Sequence, residues 1–161
     1  MVNRNSEEQK DRHFMKCALK EAKKALSENE VPVGAVIVCE NKIIARGHNR
    51  TLQKQCPTAH AEIIAIQKAA KKMKQWRLPD AILYVTLEPC SMCAGAMVLA
   101  RIKKLVYGLK DPKSGGCGSV LNIVQNSDLN HRMDVMPGIE AEESLSLLQT
   151  FFRQKRQNKT K

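Results

Sequence analysis

Apolar residues in the first part of the chain follow a helical spacing and then a strand-like spacing. Residues 7–28 have one apolar face and predict an amphipathic helix. The members of that face are Phe14, Ala18, Ala22 and Ala25 with Leu26. Two β-branched runs, 33–39 and 43–45, flank a turn at residues 40–41 and predict a hairpin. A polar loop over 47–58 follows.

A second helix and a buried strand are predicted after this loop. Helical spacing returns at Ala59, and Thr58 is placed to cap the helix start. The predicted buried stripe of this helix consists of Ile63, Ile66, Ala70 and Met73. Residues 82–86 predict a short buried strand, and residues 90–101 predict an apolar helix.

The remaining sequence predicts two more strands and a closing helix. The strands are expected over 104–107 and 132–136, separated by a glycine-rich loop at 111–119 and a short helical turn at 120–124. A helix from residue 140 to about 157 carries an apolar stripe of Ala141, Leu145, Leu148 and Phe152. Strands that alternate with helices predict a three-layer α/β/α fold, in which ligands bind at the carboxyl ends of the strands.

The chain has the size of one domain and a strongly basic balance. Its 161 residues, 43% of them hydrophobic, fit a single domain over 1–161. The net charge is +11. A basic C-terminal tail from about residue 153 holds Arg153, Lys155, Arg156, Lys159 and Lys161 and no acidic residue. Such charge serves either contact with the phosphates of a polyanion or solubility alone.

The cysteine content and the lack of long apolar runs predict a cytoplasmic chain. The N-terminal residues do not combine a basic stretch with the apolar run of a signal peptide, so the six cysteines are predicted to be reduced thiols. No segment approaches the roughly 18 apolar residues that a membrane span requires. We therefore expect no membrane partner.

Two short segments at predicted strand-to-helix junctions carry the candidate chemistry. Cys90 and Cys93 lie one turn apart at a helix start, where the helix dipole favours thiolates over thiols. With His60 they would give zinc three ligands and leave one position open for water, which is typical of a catalytic site. Glu62 is then placed to act as the base for that water.

Each of these residues alone has an ordinary structural explanation. A pair of cysteines three residues apart arises easily by chance in a chain with six cysteines. A histidine at a helix start is often a cap or a core residue, and a glutamate in a first turn usually complements the helix dipole. The occurrence of both segments together favours a catalytic site with one zinc ion per chain.

The two segments resemble the cytidine deaminase-like superfamily, whose signature and glutamate role are already established. From about Leu19 to Phe152 the chain resembles the tRNA-specific adenosine deaminases, which convert the wobble adenosine of tRNA to inosine. The matching stretches are Glu-Val-Pro-Val-Gly-Ala-Val at 30–36, His-Asn-Arg at 48–50, Leu-Tyr-Val-Thr-Leu-Glu-Pro-Cys at 83–90, Asn-His-Arg at 130–132 and Thr-Phe-Phe-Arg at 150–153.

The resemblance implies a mixed five-stranded sheet, a zinc-activated water and a tRNA anticodon stem-loop as substrate. It also implies a homodimer that completes the catalytic site. Residues 115–122 resemble the catalytic subunit of heterodimeric eukaryotic enzymes as well, so a heterodimer stays open. Glu62 would move protons while adenosine is hydrolysed to inosine and ammonia.

The resemblance further implies contacts with the target nucleotide. Asn49 would orient the purine, the backbone N–H of Ala61 would meet the substituent at C6, and Asp111 would contact the sugar. Two of these residues also have structural alternatives. Asn49 could serve only its own loop, and Asp111 before Pro112 is a common start of a turn.

The resemblance places the anticodon arm against the closing helix. Phe151, Phe152 and Arg153 would help to hold it. The helical spacing, however, predicts a core position for Phe152, and Phe151 lies about 100° away around the helix.

Two other functions share these motifs. A free-base or nucleotide deaminase, acting on guanine or deoxycytidylate, would use both metal segments, although the basic tail and the Phe-Phe-Arg stretch argue against it. A non-catalytic, zinc-containing RNA-binding subunit would lack the glutamate, whereas Glu62 is present.

Overall fold

The computed structural model describes residues 4–159, so Lys161 of the predicted tail lies outside the described residues. The helices are α1 (Arg4–Ser27), α2 (Ala61–Met73), α3 (Ser91–Leu99) and α4 (Ala141–Lys159). The strands are β1 (Gly34–Cys39), β2 (Lys42–His48), β3 (Ile82–Leu87), β4 (Lys104–Leu109) and β5 (Asp134–Met136). Within this described part, no helix is long and apolar enough to span a bilayer.

The strands form one mixed sheet in the order β2-β1-β3-β4-β5. β1 pairs antiparallel with β2 and β3, whereas β4 pairs parallel with β3 and β5. The parallel pair β3–β4 needs a crossover connection, which α3 supplies. The predicted α/β class and the mixed five-stranded sheet are confirmed.

Helices cover both faces of the sheet, because successive strand residues point to opposite sides and both sides are apolar. On one face α1 and α4 contact the strands. The core on that side contains Phe14, Met15, Ala18, Leu19, Val36, Val38, Tyr84 and Val106. On the other face α2 and α3 cover a larger core, which includes Ile37, Ala65, Leu83, Val85, Met97, Leu105 and Tyr107.

Gly47 in β2 lets α2 pack directly against the sheet. A Cβ atom at Gly47 would lie 2.4 Å from the carbonyl oxygen of Ala61 and 2.9 Å from the amide nitrogen of Ala65. Both are backbone atoms of the N-terminal part of α2, so a side chain at Gly47 would push the helix away from the strand. Close packing therefore fixes the start of the helix that follows His60.

Three local predictions are wrong. Thr58 does not cap α2, because the helix begins at Ala61 with His60 in the N-cap position. Residues 120–124 contain no helical turn, since Asn122 instead forms a bridge to Cys117. β2 continues beyond its predicted end at residue 45 and reaches His48, because it pairs with β1 over this whole length.

The apolar stripes predicted for α2 and α4 are not the faces that these helices bury. α2 buries Ala61, Glu62, Ile64, Ala65 and Ala69. α4 buries Ser144 and Phe151, because it approaches β4 through a small residue: a Cβ atom at Gly108 would lie 2.7 Å from Ser144 Oγ. The predicted core position of Phe152 is wrong, since its exposed fraction is 49% against 5% for Phe151.

Candidate active site

Three potential metal ligands converge where α2 and α3 begin. His60 and Cys90 occupy the N-cap positions of the two helices in extended backbone conformation, and neither uses its side chain to cap the helix. Cys93 lies in the first turn of α3. The Nδ1 atom of His60 is 3.6 Å from each sulfur, and the three ligand atoms lie within 4.8 Å of one another.

This arrangement fits a zinc ion. Zinc binds thiolate sulfur at about 2.3 Å and imidazole nitrogen at about 2.0 Å in a tetrahedron, which places nitrogen and sulfur about 3.6 Å apart. The observed nitrogen–sulfur distances are 3.6 Å. Among residues 4–159 the group contains three side chains, so a tetrahedral ion held by them would keep one position for a non-protein ligand.

The three side chains already share protons and charge without an ion. Hydrogen bonds from the Cys93 thiol and from His60 lower the pKa of Cys90 to about 3. The bond to Cys90, together with burial, raises the pKa of Cys93. The same Cys90 thiolate raises the pKa of His60. A cation bound by these three side chains would displace the protons that they share, because a metal binds the thiolate form of cysteine and the neutral form of histidine.

Glu62 is a buried acid beside this group. It is the second residue of α2 and lines a cavity of about 240 Å³ together with His60 and Cys90. Burial raises the pKa of its carboxyl group. A carboxyl group whose pKa is raised toward neutrality can both take up and release a proton, as general acid–base catalysis requires.

The cavity brings together most of the residues predicted from the sequence. It is lined by Asn49, His60, Ala61, Glu62, Cys90 and Asp111, with Val31, Val33, Thr51, Leu87, Glu88 and Ser114. Cys93 is buried beside it in the ligand group. Phe151 and Arg153 do not line this cavity.

Asp111 shapes its own turn through hydrogen bonds and also lines the cavity. Its Oδ1 atom accepts hydrogen bonds from the backbone N–H groups of Lys113 and Ser114, and its Oδ2 atom accepts one from the Ser114 hydroxyl at 2.6 Å. Burial acts to raise the pKa of Asp111, but these hydrogen bonds outweigh it and lower the pKa. The side chain is therefore a fixed negative charge at the cavity wall.

Glu88 organises the loop that carries Asp111, a role that the sequence did not reveal. Its buried carboxylate accepts hydrogen bonds from the backbone N–H groups of Asp111, Cys117 and Ser119 and from the Ser119 hydroxyl. A Cβ atom at Gly115 would lie 2.5 Å from this carboxyl group. The only sequence signal was an acid at the end of an apolar strand.

Comparisons with known proteins show the family of this chain. A family model described as MafB19-like deaminase matches residues 8–156. A tRNA-specific adenosine deaminase of Bacillus subtilis is 49% identical over 149 residues, which cover 92% of each chain. The chain belongs to the tRNA-specific adenosine deaminase family. A solved structure from work on A-to-I editing by tRNA:A34 deaminases superposes with a TM-score of 0.82 at 47% identity, covering 84% of this chain and 99% of the other.

The deaminase fold is shared with enzymes that act on free bases. The solved structure of a guanine deaminase from Bacillus subtilis superposes with a TM-score of 0.59 at 39% identity. That match covers 68% of this chain and 66% of the other. It covers less of both chains than the tRNA:A34 deaminase structure does.

This deaminase has a second concave surface next to the cavity. A groove of about 650 Å³ runs along α4 and is lined by Lys113, Leu145, Leu148, Gln149, Phe152, Arg153 and Arg156. The turn from Asp111 to Ser114 separates the two concavities, because Asp111 and Ser114 line the cavity while Lys113 lines the groove. Arg153 and its basic neighbours, predicted as a tail, lie on the last turns of α4.

Proposed function

We propose that this deaminase hydrolyses adenosine to inosine at the wobble position of a tRNA anticodon loop. The convergence of His60, Cys90 and Cys93 at a cavity that Glu62 also lines is the observation that carries the proposal. A relative that is 49% identical over 92% of both chains is a tRNA-specific adenosine deaminase, which supports the choice of substrate.

His60, Cys90 and Cys93 would hold one zinc ion per chain. A bound zinc ion supplies Lewis-acid activation, which lowers the pKa of water enough for attack near neutral pH. The two thiolates offset the charge of the metal, so a nearby base has to assist. Three acidic residues line the cavity, and Glu88 and Asp111 are occupied by hydrogen bonds within the loop over 111–119, which leaves Glu62 for this role.

Glu62 would transfer the protons of the reaction. Its carboxylate accepts a proton from the water that attacks C6 of adenine and delivers it to ring atom N1. It accepts the second proton of that water and delivers it to the departing amino nitrogen. The water oxygen remains on C6, the C6–nitrogen bond breaks, and inosine and ammonia are the products.

The cavity walls would hold the base and the sugar. The backbone N–H of Ala61 is at the helix start, where N–H groups have no intrahelical acceptor, and it would meet the substituent at C6. Asn49 would orient the purine and Asp111 would contact the ribose. Because the reacting groups line a cavity of about 240 Å³, the target nucleotide must leave its stack to reach them, which costs least in a single-stranded loop.

The groove along α4 would bind the anticodon arm next to the extruded nucleotide. Phe152 offers an exposed ring for stacking, and Lys113 and Arg153 offer positive charge for phosphates. Phe151 is buried and offers RNA little surface, so Phe152 alone of the two rings would make the aromatic contact with the anticodon arm. The net charge of +11 supports a polyanionic substrate.

A second copy of the chain would complete the enzyme as a homodimer. Exposed apolar side chains at the end of α3 and in the following loops support this assembly; they are Leu99, Val120, Leu121 and Leu129. Size-exclusion chromatography with light scattering tests the assembly, and a monomer would contradict it.

The enzyme would act on tRNA in the cytoplasm. All six cysteines are free in the described residues, which is typical of proteins in a reducing compartment.

The deciding experiment offers three substrates to the purified, zinc-loaded chain. These are an anticodon stem-loop with adenosine at the wobble position, free guanine and deoxycytidylate, and Glu62→Gln serves as the matched control. We expect inosine only in the stem-loop, and none from the Glu62→Gln chain at unchanged zinc content. Turnover of guanine or deoxycytidylate alone would establish a free-base or nucleotide deaminase instead. Tight stem-loop binding without turnover would indicate a non-catalytic RNA-binding subunit.

A further inference from the structure

We propose that Glu30 is a positioning residue, which sets the orientation of the Asn49 amide at the base-binding wall of the cavity. The proposal rests on the proposed function, because that function places Asn49 against the purine. Glu30 does not line the cavity itself, so it acts through its neighbour.

Glu30 is a carboxylate with an exposed fraction of 0%. Its Oε2 atom accepts hydrogen bonds from Asn49 Nδ2 at 3.4 Å and from the Thr51 hydroxyl at 3.3 Å. Its Oε1 atom accepts a hydrogen bond from the backbone N–H of Gln53 at 2.8 Å. All three donors belong to the loop that follows β2, and Asn49 and Thr51 line the cavity.

The chemistry of the pair permits one orientation of the amide. Both Glu30 oxygens already accept hydrogen bonds from the loop, so the donor side of the Asn49 amide, Nδ2, faces Glu30. The flipped amide would place Oδ1 against Glu30 Oε2, and two acceptors would then oppose each other in a buried site. Glu30 thus decides which side of the amide is left to face the base.

The segment before β1 and the loop after β2 form one wall of the cavity. Glu30 immediately precedes Val31, and the carbonyl oxygen of Val33 accepts a hydrogen bond from the backbone N–H of Asn49 at 3.1 Å. Val31 and Val33 both line the cavity. The backbone bond fixes the position of Asn49, whereas only Glu30 and Thr51 contact its amide among the described residues.

A double-mutant cycle separates positioning from general stabilisation. The four chains are the parent, Glu30→Gln, Asn49→Ala and the double variant, each assayed for kcat and KM on the stem-loop. Glutamine keeps the size of Glu30 but can donate to the amide, so it permits the flipped orientation. We expect Glu30→Gln to lower kcat/KM about tenfold or more in the parent, because misaligned groups lose that much. In the Asn49→Ala background we expect a change of less than about threefold.

Two controls keep structural effects apart. Zinc content and the midpoint of thermal unfolding are measured for every chain, and Glu30→Asp tests whether a shorter carboxylate restores part of the lost activity. Equal losses from Glu30→Gln in both backgrounds, or full activity of Glu30→Gln, would overturn the proposal. If the parent forms no inosine, the proposed function fails and not this inference.

A measurement on the parent chain needs no Glu30 variant. In a ¹⁵N-labelled sample, the Asn49 side-chain amide is assigned by its absence from the Asn49→Ala spectrum. We expect a nuclear Overhauser contact between its Nδ2 protons and the γ-methylene of Glu30. Its absence from an otherwise well-resolved spectrum would show that the amide faces another way, and would overturn the proposal independently of activity.

Discussion

The rings of Phe151 and Phe152 meet edge to face with centroids 5.2 Å apart, yet only Phe151 is buried. Two adjacent aromatic residues on α4 therefore have separable roles. The buried ring lies on the inner face of α4, which also buries Ser144. The exposed ring belongs to the groove that also contains Arg153.

We predict that Phe151→Ala and Phe152→Ala have different effects. Phe151→Ala should lower the free energy of unfolding by about 3 kcal/mol, because it removes a buried ring and leaves a cavity. Phe152→Ala should change it by less than about 0.5 kcal/mol and weaken stem-loop binding by about 1 kcal/mol or more, because a stacking surface is lost. Denaturant unfolding and fluorescence anisotropy measure the two quantities. Equal destabilisation by both substitutions would contradict the assignment.

The packing of α2 against β2 predicts a strong effect at Gly47. Gly47→Ala should lower the free energy of unfolding by about 2 kcal/mol, because its Cβ atom collides with the backbone of α2. It should also lower zinc content, since His60 lies at the start of that helix. Gly95→Ala is the matched control: a Cβ atom there meets nothing within 4 Å, and alanine favours the helix. Denaturant unfolding measures this loss, and a free energy of unfolding for Gly47→Ala equal to that of the parent would contradict the described packing.

Removal of the metal should cost both activity and stability. We predict that a strong chelator abolishes inosine formation and lowers the midpoint of thermal unfolding, and that added zinc restores both. The stabilisation should be about 3 kcal/mol when free zinc is about 100 times the Kd.

Two cysteine substitutions provide the comparison for this experiment. Cys90→Ser should lower the zinc content measured by atomic emission to well below about one ion per chain, because a hydroxyl is a poor zinc ligand. Cys56→Ser should leave it unchanged, since Cys56 contacts Thr58 and lies outside the ligand group. Full activity of a rigorously demetallated parent would refute the metal site.

A surface pair makes a prediction about pH. His48 Nε2 lies 2.8 Å from Glu28 Oε2, and this hydrogen bond lowers the pKa of Glu28 below its ordinary value of 4.5. A carboxyl group with a depressed folded pKa stabilises the fold above its unfolded pKa and loses that contribution as the pH falls through its folded pKa. His48→Ala should therefore raise the pKa of Glu28 and reduce the loss of stability on acidification.

An NMR titration of the Glu28 carboxyl carbon measures this pKa directly. His13→Ala is the control, because the ring of His13 contacts Phe14 and no carboxylate among the described residues. A Glu28 pKa that is the same in the parent and in His48→Ala would show that the hydrogen bond is absent in solution.

Periodicity and residue type were enough to predict most of the strands and helices in their chain order, the α/β/α layers and the candidate ligands, whereas the mixed five-stranded sheet was implied by the resemblance. The β-branched runs before Glu40 and before Glu88 form strands whose both faces are buried, so local pattern and tertiary packing agree. His60, Cys90 and Cys93 stand out because their chemistry is rare and both segments follow strands.

The faces of α2 and α4 could not be predicted in the same way. Each depends on a contact between residues distant in sequence, such as the approach of Ser144 to Gly108. The roles of Glu30 and Glu88 were also hidden, because many of their partners are backbone N–H groups, which leave no signature in residue type. Buried carboxylates of this kind are found only once the loops around them are placed.

The close approach of Gly115 to Glu88 limits how this enzyme can be redesigned for other nucleosides. A side chain at 115 would disturb the hydrogen bonds by which Glu88 shapes the loop over 111–119, so a mutational library should keep these two positions constant. Lys113 borders the groove and donates to Asp111 through its main chain, so its side chain can be replaced without loss of that hydrogen bond, although the proposed phosphate contact would change. Substitutions at Lys113 would change the surface of the groove and leave the hydrogen bonds around Glu88 intact.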